Sequence, residues 1–263
     1  MSLRAAPPPA LEAVLRLERP GWVLDARFRL AGPAPVHPVQ GPTGAGKSSL
    51  LRALAGLEPG VRGLLRWGGR PWLDGAGGLP AHRRPVALAL QEAPLFPHWD
   101  VARNLAYGWR RRGRGRPGLP TPEQAAAALG LEGLLGRRAD RLSVGQRRLA
   151  HLARAVLSGP ELLLLDEPTA GLDGAVARRA LAWVGAVAAA CGMRVLCALH
   201  EPGPLREALP PSLVGPGLKV ESGAVEAGRA RPLPPVPMAV TGAPVLAAGS
   251  GTWTSRAVSA RGA

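Results

Sequence analysis

Gly41-Pro42-Thr43-Gly44-Ala45-Gly46-Lys47-Ser48 fits the pattern G-x-x-x-x-G-K-S/T at every fixed position. The pattern has a physical reason. Glycines let the backbone curl so that successive N–H groups point inward at phosphate oxygens. A helix that starts there adds the positive end of its dipole. In such a loop Lys47 would reach the β- and γ-phosphates and Ser48 would hold Mg²⁺, with Ser49 beside it. Downstream, Leu50, Leu51, Leu54 and Leu57 recur at helical spacing and Gly56 marks a stop, so a helix is expected to follow the loop.

Working outward, Leu162-Leu163-Leu164-Leu165-Asp166-Glu167 is an apolar run that ends in two acids. Four leucines bounded by Gly159-Pro160 and Pro168 suit a strand buried on both faces. Carboxylates at the carboxyl end of such a strand lie where α/β sheets bind ligands. Asp166 would assist Mg²⁺, directly or through water, and Glu167 would polarise an attacking water. Taken alone, the pair also suits the start of a helix before Pro168.

About twenty residues earlier stands Leu142-Ser143-Val144-Gly145-Gln146. With this third piece the chain resembles the ATP-binding cassette (ABC) family. That family orders its elements as phosphate loop, Gln loop, L-S-G-G-Q signature, acidic strand end, D-loop and switch histidine. Here they would be Gly41 to Ser48, Gln91, Leu142 to Gln146, Leu165 to Glu167, Ala170-Gly171-Leu172-Asp173, and His200. The resemblance implies an α/β fold: a P-loop NTPase core of ABC type, with an N-terminal antiparallel β-layer and an inserted helical subdomain. The cassette would span residues 12–228, with the helical subdomain at about 95–157. A Pro/Gly/Ala-rich tail would occupy 229–263, too short and irregular for a complete oxyanion-binding domain.

The family also implies roles. ATP and Mg²⁺ would be the cofactors. Gly41, Pro42, Thr43, Gly44, Ala45, Gly46, Lys47, Ser48 and Ser49 would cradle the nucleotide. Ser48, Gln91 and Asp166 would serve the metal. Glu167, His200, Gln91 and Lys47 would carry catalysis. Ser143, Gly145 and Gln146 would close over the nucleotide of a second copy in a head-to-tail homodimer, with Asp173 coupling the two sites. Trp22 is the best-placed aromatic to stack on adenine, although a core tryptophan in a strand explains it nearly as well. Val144 departs from the family glycine. Either it holds φ below zero and is tolerated, or the signature is impaired.

The segment Leu95-Phe96-Pro97-His98-Trp99-Asp100-Val101-Ala102-Arg103-Asn104-Leu105-Ala106-Tyr107-Gly108 resembles the ATPase subunits of molybdate importers. Sulfate, iron and polyamine importers share parts of it. The expected partners are transmembrane permease subunits and, indirectly, a substrate-binding protein, at the cytoplasmic face of a membrane. A soluble cassette protein or a nucleotide-binding regulator are the alternatives. Neither long heptad runs nor CxxC pairs favour the first, and retained Lys47, Glu167 and His200 argue against the second.

Composition sets limits. No apolar run approaches the ~18 residues of a membrane span, and residues 1–20 do not resemble a secretory signal. Cys191 and Cys197 are expected as buried thiols. The net charge of +15 is almost all arginine, densest at Arg110-Arg111-Arg112-Gly113-Arg114-Gly115-Arg116. Such runs can bind RNA, but no aromatic interleaves this one, so a solvated loop is preferred and no nucleic acid is expected. Trp22 to Leu30 alternates like a half-buried antiparallel strand. Glycine turns at Gly68-Gly69 and Gly75 to Gly78 suggest short strands, and Val86 to Leu90 and Val195 to Leu199 look like central ones. In Val36 to Gln40, Pro38 cannot donate to a ladder, so that strand is expected to be short, bulged or unpaired there, with His37 a local packing or hydrogen-bonding residue rather than a ligand. Leu149, Leu152, Ala153 and Val156 define a buried helix face. Arg147, Arg148, His151 and Arg154 are expected on the others.

Overall fold

The computed structural model describes residues 7–92, 95–110, 115–201 and 203–227. The expected tail, residues 229–263, lies outside the described residues, as do Arg111, Arg112, Gly113 and Arg114 of the basic run. The strands are β1 (Leu11–Arg19), β2 (Trp22–Leu30), β3 (Val36–Gln40), β4 (Arg62–Trp67), β5 (Arg70–Gly75), β6 (Gly77–Gly78), β7 (Val86–Ala89), β8 (Leu162–Asp166), β9 (Arg194–Leu199), β10 (Leu218–Glu221) and β11 (Ala224–Ala227). The helices are α1 (Lys47–Ala55), α2 (Val101–Gly108), α3 (Pro122–Leu129), α4 (Val144–Leu157), α5 (Gly174–Cys191) and α6 (Gly203–Ala208).

All the strands join one sheet, ordered β6-β5-β4-β1-β2-β11-β10-β3-β9-β8-β7. The expected antiparallel layer is its first half. There β1 pairs β2 from Leu11↔Leu30 to Arg19↔Trp22 and β4 on its other side. Leu11, Ala13, Leu15 and Leu17 of β1 and Leu24, Ala26, Phe28 and Leu30 of β2 are buried on one face. The second half is the parallel set β3-β9-β8-β7. The hairpin β10–β11 joins the halves, with β11 parallel to β2 and β10 parallel to β3.

The central strands are buried on both faces. In β8, Leu163 and Leu165 pack into the cluster under the helices of residues 101–157, while Leu162 and Leu164 pack with α1 and the antiparallel layer. β9 splits the same way: Val195, Cys197 and Leu199 against Leu196 and Ala198. Period-2 alternation between two apolar environments explains why these strands are continuous apolar runs.

One expectation is narrowed and three are corrected. First, β3 is neither short nor bulged; Pro38 is instead unpaired on its β10 side. The strand pairs with β9 through its whole length, Pro38 opposite Cys197. Gly215 N–H donates to Val36 O, so residues 36, 38 and 40 turn their backbone groups toward the β10 side. Regular pairing with β10 begins only at Val39, so the missing donor of Pro38 falls in a gap. Second, Leu57 lies past the end of α1 and is exposed. Gly56 adopts the left-handed cap conformation (φ 77°), and Leu57 N–H closes the turn onto Arg52 O. Third, Arg116 is not merely solvated. It donates to the carbonyls of Gly159, Pro160 and Cys191. Fourth, α5 comes close to a span, with 18 residues and a mean hydropathy of 1.3. Its many alanines raise the index without a run of large side chains. Ala177, Ala180, Leu181, Val184 and Ala188 place its inner face in the core.

Candidate functional site

The register of the parallel strands builds the site. Gln40 of β3 stands opposite Leu199 of β9, Ala198 opposite Asp166 of β8, and Leu165 opposite Ala89 of β7. Their carboxyl ends therefore release, side by side, the loop at Gly41, then His200, then Asp166 with Glu167, then Leu90 and Gln91. This is the edge at which open α/β sheets bind ligands.

The loop after β3 is shaped by close approaches. A Cβ on Gly41 would lie 2.1 Å from Val220 O, and one on Gly46 would lie 2.5 Å from the Trp22 ring at Cζ2. Gly46 has φ 107° and immediately precedes α1, so glycine is required there on both counts. Lys47 is buried; its Nζ donates to the carbonyls of Gly41 (2.7 Å) and Pro42 (2.9 Å). Ser48 is exposed and Ser49 half-buried at the start of α1.

A cleft of about 690 Å³ opens beside the loop, lined by Pro42, Thr43, Gly44 and Ala45 on one side and Arg19, Trp22 and Ser222 on others. Trp22 is half-buried in β2, its ring edge against Gly46, and its Nε1–H has no partner among the described residues. The strand role and the cleft role are thus both present. The glycine-rich loop and the Trp22 ring thus face one cleft.

Asp166 is buried at the end of β8 and Glu167 half-buried after it. Glu167 has φ 49°, one of two described non-glycine residues with positive φ. Strain of this kind costs on the order of 1 kcal/mol or more and persists where surrounding structure imposes it. Here Glu167 N–H donates to Ala198 O (3.0 Å), and Glu167 Oε1 lies 2.9 Å from His200 Nε2. Gln91 borders a small cavity that Glu167 also lines. Glu167 thus meets His200 directly and shares this cavity with Gln91.

Ser143, Gly145, Gln146 and Asp173 do not line the cleft. Ser143 caps α4. Its Oγ accepts from Gln146 N–H and Gln146 Oε1 accepts from Ser143 N–H, at 3.2 and 3.0 Å. Val144 is the first residue of α4 and is not among the positive-φ residues; it is 60% exposed. The first of its two sequence readings, φ below zero, is the one observed. Asp173 caps α5 by accepting from Ala175 and Val176 N–H.

Three features were not legible beforehand. His151 is buried on a second face of α4, beside Ala89, Gln91, Glu167 and Pro168, and Arg154 NH2 donates to its Nδ1 (3.3 Å). Asn104 is fully buried. It accepts from Phe96 N–H and Arg154 NH1 and donates to Phe96 O and Asp100 O. Phe96, Trp99 and Tyr107 cluster over it, with ring centroids 4.4 to 5.8 Å apart. Arg84 is buried and donates to Ala53 O and Leu54 O at the end of α1. His37 is a local hydrogen-bonding residue, with Nδ1–H donating to Pro216 O and Nε2 accepting from Arg194.

Comparisons with known proteins agree with this geometry. The molybdenum import ATP-binding protein ModC of Thiobacillus denitrificans is 39% identical over 193 residues, 73% of this chain and 53% of that protein. The protein of the same name from Aromatoleum aromaticum is 40% identical over 195 residues, 73% of this chain and 51% of its own. ModC 2 of Azotobacter vinelandii is 42% identical over 169 residues, 64% and 46% respectively. The chain spans about half the length of the curated relatives it matches. The family described as ABC transporter matches residues 32–170, a little over half of the chain, and with its loop, acidic strand end and histidine on adjacent strands the chain belongs to that family.

Proposed function

We propose that this chain is the ATP-hydrolysing subunit of an ABC importer for molybdate or tungstate. One observation carries the reading: the phosphate loop, His200, Asp166 with Glu167, and Gln91 stand at the ends of four neighbouring parallel strands. The cargo is supported by the relatives described as molybdenum import ATP-binding proteins.

In this reading the phosphates of ATP lie along residues Gly41 to Ser48, and Lys47 turns from the Gly41 and Pro42 carbonyls to meet them. Trp22 stacks on adenine across the cleft. Glu167 orients the attacking water for in-line displacement at the γ-phosphate, and His200 holds Glu167 and touches that phosphate. Ser48, Gln91 and Asp166 would hold Mg²⁺, which when bound neutralises phosphate charge. Ser143, Gly145 and Gln146 serve the loop of a second copy, in a head-to-tail homodimer with Asp173 at the junction. Residues 12–228 form the ATPase domain and about 95–157 its helical subdomain, which docks on permease subunits at the cytoplasmic face. A substrate-binding protein delivers the cargo from the other side.

Hydrolysis of MgATP by the purified protein tests the reading. Lys47→Ala weakens nucleotide binding. Glu167→Gln keeps binding while turnover falls by about 100-fold or more, the range of a lost general base. Wild-type turnover in Glu167→Gln removes the assigned role. For cargo, a deletion strain is expected to need high external molybdate for its molybdenum enzymes. Unchanged molybdate uptake would point instead to a sulfate, iron or polyamine importer.

A further inference from the structure

A small cavity lies beneath the hydrolytic residues, lined by Gln91, Glu167, Arg148 and His151 among others. The volume open to the centre of a water molecule is about 10 Å³. One water requires about 10–15 Å³ by that measure, together with two to four polar partners. His151 is 6% exposed. Its Nδ1 lies 3.3 Å from Arg154 NH2. A guanidinium can only donate, so Nδ1 is the acceptor and the neutral ring carries its proton on Nε2. Burial and the Arg154 charge lower the His151 pKa to about 4, which keeps the ring neutral at neutral pH. Nε2 is buried and has no partner among the described residues. A buried donor left unpaired costs about 1–3 kcal/mol.

We propose that His151 is a positioning residue of the hydrolytic site: its Nε2–H holds one water in this cavity, and that water fixes Gln91 and Glu167 relative to α4. The inference rests on the reading of Glu167 and Gln91 given above. The chemistry of the cavity is complementary. The water accepts from His151 Nε2–H, with Arg148 as a second donor, and donates to the Glu167 carboxylate and the Gln91 side-chain oxygen. His151 is itself fixed from behind. Arg154 is held by Asn104 Oδ1 (3.3 Å), and Asn104 by the backbone of Phe96 and Asp100. A continuous set of polar contacts thus runs from the loop at 96–100 to the cavity under Glu167.

The test compares His151→Leu with His151→Gln. Leucine fills the site without a donor; glutamine places an N–H near the Nε2 position. Expected is a roughly ten-fold fall in kcat for His151→Leu with KM for ATP changed less than about two-fold, and recovery to within about three-fold of wild type in His151→Gln. Wild-type kcat in His151→Leu, or equal losses in both variants, overturns the proposal. Imidazole ¹⁵N spectra of the wild type supply a second readout that needs no variant to fold. An Nε2–H resonance exchanging slowly with solvent and showing a cross-peak to bound water is expected. A proton on Nδ1, or one in fast exchange, overturns the proposal. A wild type without any turnover sinks the functional reading instead, and the spectra then decide the water site alone.

Discussion

At the scale of the residue, the signature's valine is the sharpest departure from the family pattern. A β-branched side chain strongly disfavours positive φ, so Val144 would be disruptive if the loop required that conformation. It does not, because position 144 opens α4 in ordinary helical geometry with its side chain outward. The crowded position is the next one: a Cβ on Gly145 would come within 3.1 Å of Leu172 Cδ2. Val144→Gly is therefore expected to change turnover by no more than several-fold, about 1 kcal/mol of barrier. A steady-state assay checks this, and a hundred-fold rise would show a crippled signature and revive the regulator reading. Glu167 stands at the other extreme. Its left-handed backbone is held by Ala198 O and its carboxylate by His200, so groups at the end of β9 aim the acid.

At the scale of the element, α2 and the turn before it depend on one amide. Asp100 caps α2 through Arg103 N–H, and Asn104 one turn later ties the helix back to Phe96. Asn104→Ala would strand Phe96 N–H and weaken the hold on the half-buried Arg154. Each orphaned group costs about 1–3 kcal/mol, so a loss of about 3 kcal/mol is expected, seen as a lower urea midpoint at unchanged m. A change below about 1 kcal/mol would mean that water replaces the amide. The same elements show what sequence could reveal. β8, β9 and the loop between β3 and α1 were legible because each satisfies a local rule: apolar continuity, or glycines where backbone meets phosphate. β1 obeys a local rule as well, the alternation of Leu11, Ala13, Leu15 and Leu17. The β10–β11 hairpin was beyond reach. Its four-residue strands are placed by parallel pairing with β3 and β2, whose partners lie far off in the chain, Leu218 opposite Val39 and Ala224 opposite Asp25. The burial of His151 is not legible from a helical wheel, because the end of β7 and the turn after β8 close over a second face of α4.

At the scale of the whole molecule, the excess of arginine has an internal use that composition hides. Arg84 and Arg194 are buried, and Arg116 and Arg154 half-buried. Arg84, Arg116 and Arg194 are satisfied largely by backbone carbonyls, with no carboxylate among the hydrogen bonds described for them. Two buried histidines complete this arrangement by accepting from a guanidinium: His37 from Arg194 at 2.5 Å and His151 from Arg154 at 3.3 Å. Protonating either would place two cations in contact inside the protein. Burial first, and then the neighbouring arginine, lower both pKa values from 6.5 to about 4, with Pro216 O partly opposing the shift at His37. The sign follows from proton counts. Between pH 6.5 and 4 the unfolded chain binds these protons and the folded chain does not, so stability is fully present above 6.5 and is lost as pH falls. The slope approaches about 1.4 kcal/mol per pH unit for each histidine near pH 5, and the loss per histidine by pH 4 is on the order of 3 kcal/mol. Urea unfolding at pH 7.5, 6.5, 5.5 and 5.0 is therefore expected to show a plateau above 6.5 and a steepening fall below it. In His151→Leu the fall should be shallower by about one proton's worth. An identical slope in that variant would mean that His151 titrates in the folded protein as it does in the unfolded chain, and that Arg154 does not hold it neutral.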